Sequence, residues 1–173
     1  MEVYYDLVRY GHIFSGILWI GLLYFYNFVQ AIALPRMEAS ARPHYQTSIL
    51  PFSLNVFRWA ALATLIFGLI YIITKEIERE GDQSYLLETA AGNSILIGGI
   101  LGIIMAYNVW MIIWPNQQKL IAAVRARIED ESNPAPDPKW GRTALLASRT
   151  NTMLSIPMLF FMVAARNLPS LWS

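Results

Sequence analysis

Four stretches of this chain contain no Asp, Glu, Lys or Arg: residues 13–34, 60–74, 89–118 and 150–165. Such runs restrict the fold sharply, because about 20 apolar residues in a helix match a bilayer core about 30 Å thick. Charged residues make up only 14% of the chain, against about 25% in an ordinary soluble domain. The expected fold class is therefore all-α: an integral membrane bundle of four transmembrane helices in a single domain, 1–173. The helices are expected at about 8–34, 56–74, 94–114 and 143–166. Pro35 and Pro115 read as stops for the first and third, and the charged run from Lys75 through Arg79, Glu80 and Asp82 ends the second. The fourth reaches spanning length only by drawing in Arg149 and Asn151, with Pro157 expected to bend it.

A Pro-rich cytoplasmic loop, about 115–142, precedes that last helix, and 118–128 within it reads as an amphipathic helix lying on the surface. The first apolar stretch is too long and aromatic for a signal peptide and reads as a retained helix. Orientation follows from Lys and Arg. One side carries Arg9, Lys75, Arg79 and Arg166; the other carries Arg36, Arg42, Arg58, Lys119, Arg125, Arg127, Lys139, Arg142 and Arg149. Dropping Arg58 and Arg149, which enter the membrane, leaves seven against four. Both termini should face outward, to the periplasm in a bacterial inner membrane.

A net charge of +1 and the lack of any recognition motif exclude nucleic acid as a partner. With no Cys, disulfides, thiolate-held zinc, iron–sulfur clusters and covalent c-type haem are excluded too. The carboxylates Glu76, Glu78, Glu129 and Asp130 read as solvated charge runs, and no intramembrane acid pair suggests a proton pump or di-metal site.

At 100° per residue, His12, Gly16, Trp19, Asn27 and Gln30 share one arc of about 80° on the first helix. Polar groups in hydrocarbon must be satisfied by neighbours, so this stripe should face the bundle interior or a partner. His12 is then either an axial ligand to haem or another metal, or an interhelical hydrogen-bonding residue. The first helix rises about 33 Å from His12 to Leu34, which puts His44 in the loop on the far side, so the two histidines cannot clamp one haem. Gly98, Gly102 and Ala106 form a small-residue face suited to close helix packing. In the fourth helix, Arg149 must pair, snorkel or hold an anionic group, while Asn151, Ser155, Met158 and Met162 continue one inward face.

Three segments together resemble a known family: YGHIFSGILWIGLLYFYNFVQ (10–30), NVWMIIWPNQQK (108–119) and ASRTNTMLSIPMLFFM (147–162). They are similar to the membrane domain of bacterial membrane-bound, cytochrome c-linked urate oxidases, the urate oxidase N-terminal family. That resemblance implies oxidation of a small molecule, with electrons passed to a periplasmic cytochrome c. On the leading reading the bundle binds b-type haem or a planar ligand, with His12 as its axial or hydrogen-bonding residue and Asn27, Gln30, Asn108, Arg149 and Asn151 as the other ligand-binding residues. The family's C-x-x-C-H motif is absent, so no c-type haem is held here, and whether the chain is catalytic by itself stays open. A weaker likeness is to small four-helix membrane haem proteins with a His in the first helix. The competing expectation is a non-catalytic accessory subunit, packed against a larger respiratory or photosynthetic membrane complex or self-associated as a homo-oligomer.

Overall fold

The computed structural model describes residues 2–78 and 84–167. Arg79, Glu80 and Asp82 lie outside the described residues, as does the side chain of Arg166. The architecture is all-α, with no strand among the described residues. Helix α1 spans residues 2–36; it is α-helical over Glu2–Tyr24, π-helical over Phe25–Gln30, and closes in a 3₁₀ turn, Leu34–Arg36. Helix α2 is Ala41–Ile77, α3 is Ala90–Glu129 with a π-helical stretch at Asn108–Ile113, and α4 is Pro138–Asn167. A single helical turn, Tyr85–Glu88, precedes α3.

Three helices, Val3–Arg36, Ala41–Ile77 and Ala90–Glu129, are long and apolar enough to cross a membrane. Among the described residues the fourth helix does not reach that apolarity. Its polar residues are the reason. Ser148, Asn151 and Ser155 are buried and face the other helices, while Met153, Ile156 and Val163 are exposed.

Helix ends also differ from those expected. Pro115 does not stop α3, which continues unbroken to Glu129. The π-helical stretch just before it shifts the hydrogen-bond register, and Asn116 Nδ2 donates to the Ile112 carbonyl at 2.8 Å. Residues 118–128 are thus no surface helix but the end of α3, with Ile121 and Val124 buried against α2 and α4. Nor does α2 wait until residue 56. Pro43 falls in its first turn, where a missing N–H costs nothing, and Pro51 is accommodated inside the helix. Arg42 Nη2 donates to the Pro35 and Met37 carbonyls at 3.1 Å each, covering the end of α1. Glu76 is no solvated carboxylate either: it accepts from the Tyr85 and Leu86 N–H groups at the start of the short turn.

Neighbouring helices are antiparallel. Residues 12 and 30 of α1 meet 64 and 45 of α2. Residue 58 of α2 meets 110 of α3, 108 of α3 meets 151 of α4, and 24 of α1 meets 155 of α4. This is an up-down-up-down bundle, in which each helix packs on the next and α4 returns to α1. Its core runs from Trp19 and Leu23 through Phe57, Ala61, Met105 and Val109 to Ile121 and Ala144. The small face of α3 is used within the chain: a Cβ on Gly98 would lie 3.3 Å from the Met158 carbonyl oxygen.

Candidate functional site

A seam of polar side chains runs along the inner face of α4. Asn151, fully buried, donates from Nδ2 to the Met105 carbonyl at 2.8 Å. Its Oδ1 accepts from Asn108 Nδ2 at 2.8 Å. One turn earlier, Ser148 Oγ accepts from Asn27 Nδ2 at 2.7 Å, while the same amide donates to the Leu23 carbonyl at 2.9 Å. One turn later, Ser155 Oγ donates to the Thr152 carbonyl, so the 2.9 Å contact with Tyr24 is donated by the tyrosine hydroxyl. Both π-helical stretches feed this seam, because they contain Asn27 and Asn108. Such stretches leave carbonyls off the regular ladder and concentrate at functional sites. Asn27 Oδ1 is buried without a partner among the described residues.

Gln30 stands apart from the seam. Its Oε1 accepts from Tyr45 OH at 2.8 Å, tying the end of α1 to the start of α2. Arg149 is exposed and takes no part, although its neighbours Ser148 and Asn151 are buried. His44 is also exposed, near the start of α2.

His12 occupies a different level of the bundle. It lies about 20 Å along α1 from Asn27 at 1.5 Å per residue, and it meets α2 rather than α4. Its Nδ1 sits 2.9 Å from the Thr64 carbonyl oxygen. A carbonyl can only accept, so in the neutral ring Nδ1 carries the proton and Nε2 presents a lone pair. Gly68 makes room for the ring: a Cβ there would lie 3.0 Å from Nδ1. The backbone carbonyl fixes both the tautomer and the orientation of the ring. The donor atom fits a haem iron. The grooves lined by Phe28, Val29, Ile32 and Met37 and by Leu62, Leu65, Ile103 and Trp110 lie elsewhere in the bundle. The expected single cavity thus resolves into two places, His12 on α1–α2 and the asparagine seam on α1–α3–α4.

Sequence reasoning missed Thr64, Gly68, Tyr24 and Tyr45 as partners. It also gave little weight to Arg58, whose guanidinium carbon stacks 3.6 Å from the Trp114 ring centroid.

Bundle and seam define a class: an antiparallel four-helix protein with apolar outer faces, whose most polar helix is held by interior amide and hydroxyl contacts. A family model described as urate oxidase N-terminal matches residues 81–172, just over half of the chain. The chain belongs to the urate oxidase N-terminal family. The match covers α3 and α4, including Asn108, Asn151 and the W-P-N-Q and S-R-T-N-T segments, and leaves His12 outside it. No curated protein and no solved structure matches the chain.

Proposed function

We propose that this chain is a membrane-embedded member of the urate oxidase N-terminal family that serves respiratory electron transfer. On this reading His12 attaches a b-type haem or another planar ligand, and electrons leave toward a periplasmic cytochrome c. The observation that carries the proposal is the bond from His12 Nδ1 to the Thr64 carbonyl, which leaves Nε2 as a lone-pair donor. A bound haem would supply one-electron chemistry. The chain's part is to hold and orient it, with the remaining face completed by a partner subunit or a second copy.

Four crossings are part of this proposal. Helix α4 buries Ser148, Asn151 and Ser155 and turns Met153, Ile156, Phe160 and Val163 outward, which is the arrangement hydrocarbon selects over this part of the helix. Both termini face the periplasm. Because the chain has no Cys, single-cysteine variants test this directly in intact inner-membrane vesicles of known sidedness. A membrane-impermeant maleimide should reach Ser132→Cys only from the cytoplasmic side and Tyr4→Cys only from the periplasmic side. The reverse pattern would invert the topology.

The redox reading is tested by a dithionite-reduced minus oxidised absorption spectrum of the full chain in mild detergent. The expected result is a b-type α-band that disappears in His12→Ala while helicity persists. A flat spectrum from folded wild type would reject the haem.

One observation favours a second reading, the non-catalytic subunit. Asn108 and Asn151 direct their amides at each other and at Met105, which is structural use of groups that a ligand site would keep available. A chain that co-purifies colourless in fixed stoichiometry with larger membrane subunits would establish that alternative.

A further inference from the structure

Arg58 lies inside an apolar helix, and none of the described carboxylates forms an ion pair with it. Its Nε donates to Asn55 Oδ1 at 3.0 Å, and its backbone carbonyl accepts from Trp110 Nε1 at 3.2 Å. The guanidinium is framed by three indoles, with its carbon 3.6 Å from the centroid of Trp114, 5.2 Å from Trp110 and 5.5 Å from Trp59. Stacking fixes the plane of the fork, and its Nη donors meet no acceptor among the described residues. Directly beyond Trp110 opens a groove of about 230 Å³ between α2 and α3, lined by Leu62, Leu65, Ile103, Ala106, Tyr107 and Trp110, with no polar surface. Leu62 and Leu65 stand one and two turns along α2 from Arg58, so the cation sits at one end of the groove. Ile103 and Tyr107 are exposed, so the slot opens sideways.

From this juxtaposition of an indole-framed cation and an apolar groove, we propose that α2 and α3 bind one anionic phospholipid of the surrounding bilayer. Its phosphodiester sits on Arg58 and one acyl chain lies in the groove. A cation in hydrocarbon without a carboxylate must reach an anion at the interface, and the nearest supply is the headgroup layer. The planar fork matches two phosphate oxygens at once. The seven-to-four excess of Lys and Arg places this end of the bundle at the cytoplasmic leaflet, where anionic lipid is attracted. The inference rests on the reading that the chain spans a membrane.

The test is native mass spectrometry of the detergent-solubilised full chain with added phosphatidylglycerol or phosphatidylcholine. Wild type should hold one phosphatidylglycerol with about fivefold preference over phosphatidylcholine, the equivalent of ~1 kcal/mol for one basic side chain. Arg58→Gln should remove the preference. Ile103→Trp, which fills the groove from its exposed side, should weaken binding of both lipids and leave Arg58 untouched. Circular dichroism and elution volume confirm that each variant is folded. Equal phosphatidylglycerol binding by wild type and Arg58→Gln would overturn the proposal, as would displacement of the lipid by inorganic phosphate. Equal retention of the two lipids by wild type would overturn the anionic selectivity. A chain that stays soluble and monodisperse without detergent would instead overturn the membrane reading itself.

Discussion

Replacing Asn151 by Leu is expected to lower the stability of the bundle in detergent by about 2–4 kcal/mol, although the two side chains are nearly the same size. Asn151 uses both ends of its amide: Nδ2 on the Met105 carbonyl and Oδ1 on Asn108 Nδ2, with no exposure to solvent. Leucine leaves the Asn108 side-chain amide without its acceptor, at a cost of about 1–3 kcal/mol, and the lost bond to the Met105 carbonyl, which keeps the Asn108 backbone N–H, adds about 1 kcal/mol. Measured interhelical hydrogen bonds in membranes average only about 0.6 kcal/mol, because the unfolded helices also find partners. The lower end of the range is therefore the stricter expectation. The double variant Asn108→Leu/Asn151→Leu removes one orphan together with its partner. It should be less destabilised than the sum of the single variants, by about 1–2 kcal/mol. Reversible unfolding in mixed micelles, followed by circular dichroism, measures the cycle. Additive losses would mean that the two asparagines are energetically independent, and the seam would lose its role as the clasp of α4.

That clasp shows where sequence and structure part company. The existence of the helices was legible because membranes and helix interiors both reject unpaired charge, and the charge-free runs marked each helix. Their ends were not. Pro35 lies in the 3₁₀ turn that closes α1, yet Pro115 fails to end α3: it falls in the first turn of the α-helical segment that follows the π-helical stretch, where a missing N–H is tolerated. The same local chemistry, read residue by residue, cannot separate those cases. The inward stripe of α1 was also legible: Trp19 is buried, and Asn27 and Gln30 find interhelical partners. Pairing across helices depends on crossing angle and vertical offset, which no single-helix periodicity contains. Asn151 and Ser155 were placed on one face by their spacing, and Ser148, at i−3, belongs with them by the same rule. That Tyr24, Asn27 and Asn108 stand opposite is a property of the assembled bundle. The distance between His12 and the seam follows from the same limit, since a stripe shared on a helical wheel can still be spread over five turns of helix.

Gly68→Val is expected to separate the two readings of His12, and its structural effect should be large. A Cβ at Gly68 already falls 3.0 Å from His12 Nδ1 and 3.1 Å from Cε1, closer than ordinary van der Waals contact. Valine adds two methyls at that point and cannot be admitted unless the imidazole swings away from the Thr64 carbonyl. Overpacking of this kind costs about 1–3 kcal/mol, and the lost hydrogen bond adds about 1 kcal/mol. An unfolding midpoint lowered by the equivalent of about 2–4 kcal/mol is therefore expected, with Gly68→Ala giving a clearly smaller loss. The tautomer supplies the discriminating readout. In wild type the ring ¹⁵N shifts should report a protonated Nδ1 and an unprotonated Nε2, whereas in Gly68→Val the two nitrogens should move toward the exchange-averaged pattern of a free imidazole. If His12 attaches a haem through Nε2, Gly68→Val should also lose or shift the α-band although the histidine is still present. If His12 serves only the α1–α2 contact, stability alone should fall, and no spectral band is there to move. A Gly68→Val chain that unfolds like wild type and keeps the Nδ1–H tautomer would show that the α1–α2 contact is not tight at this level, and the orientation argued for His12 would fall with it.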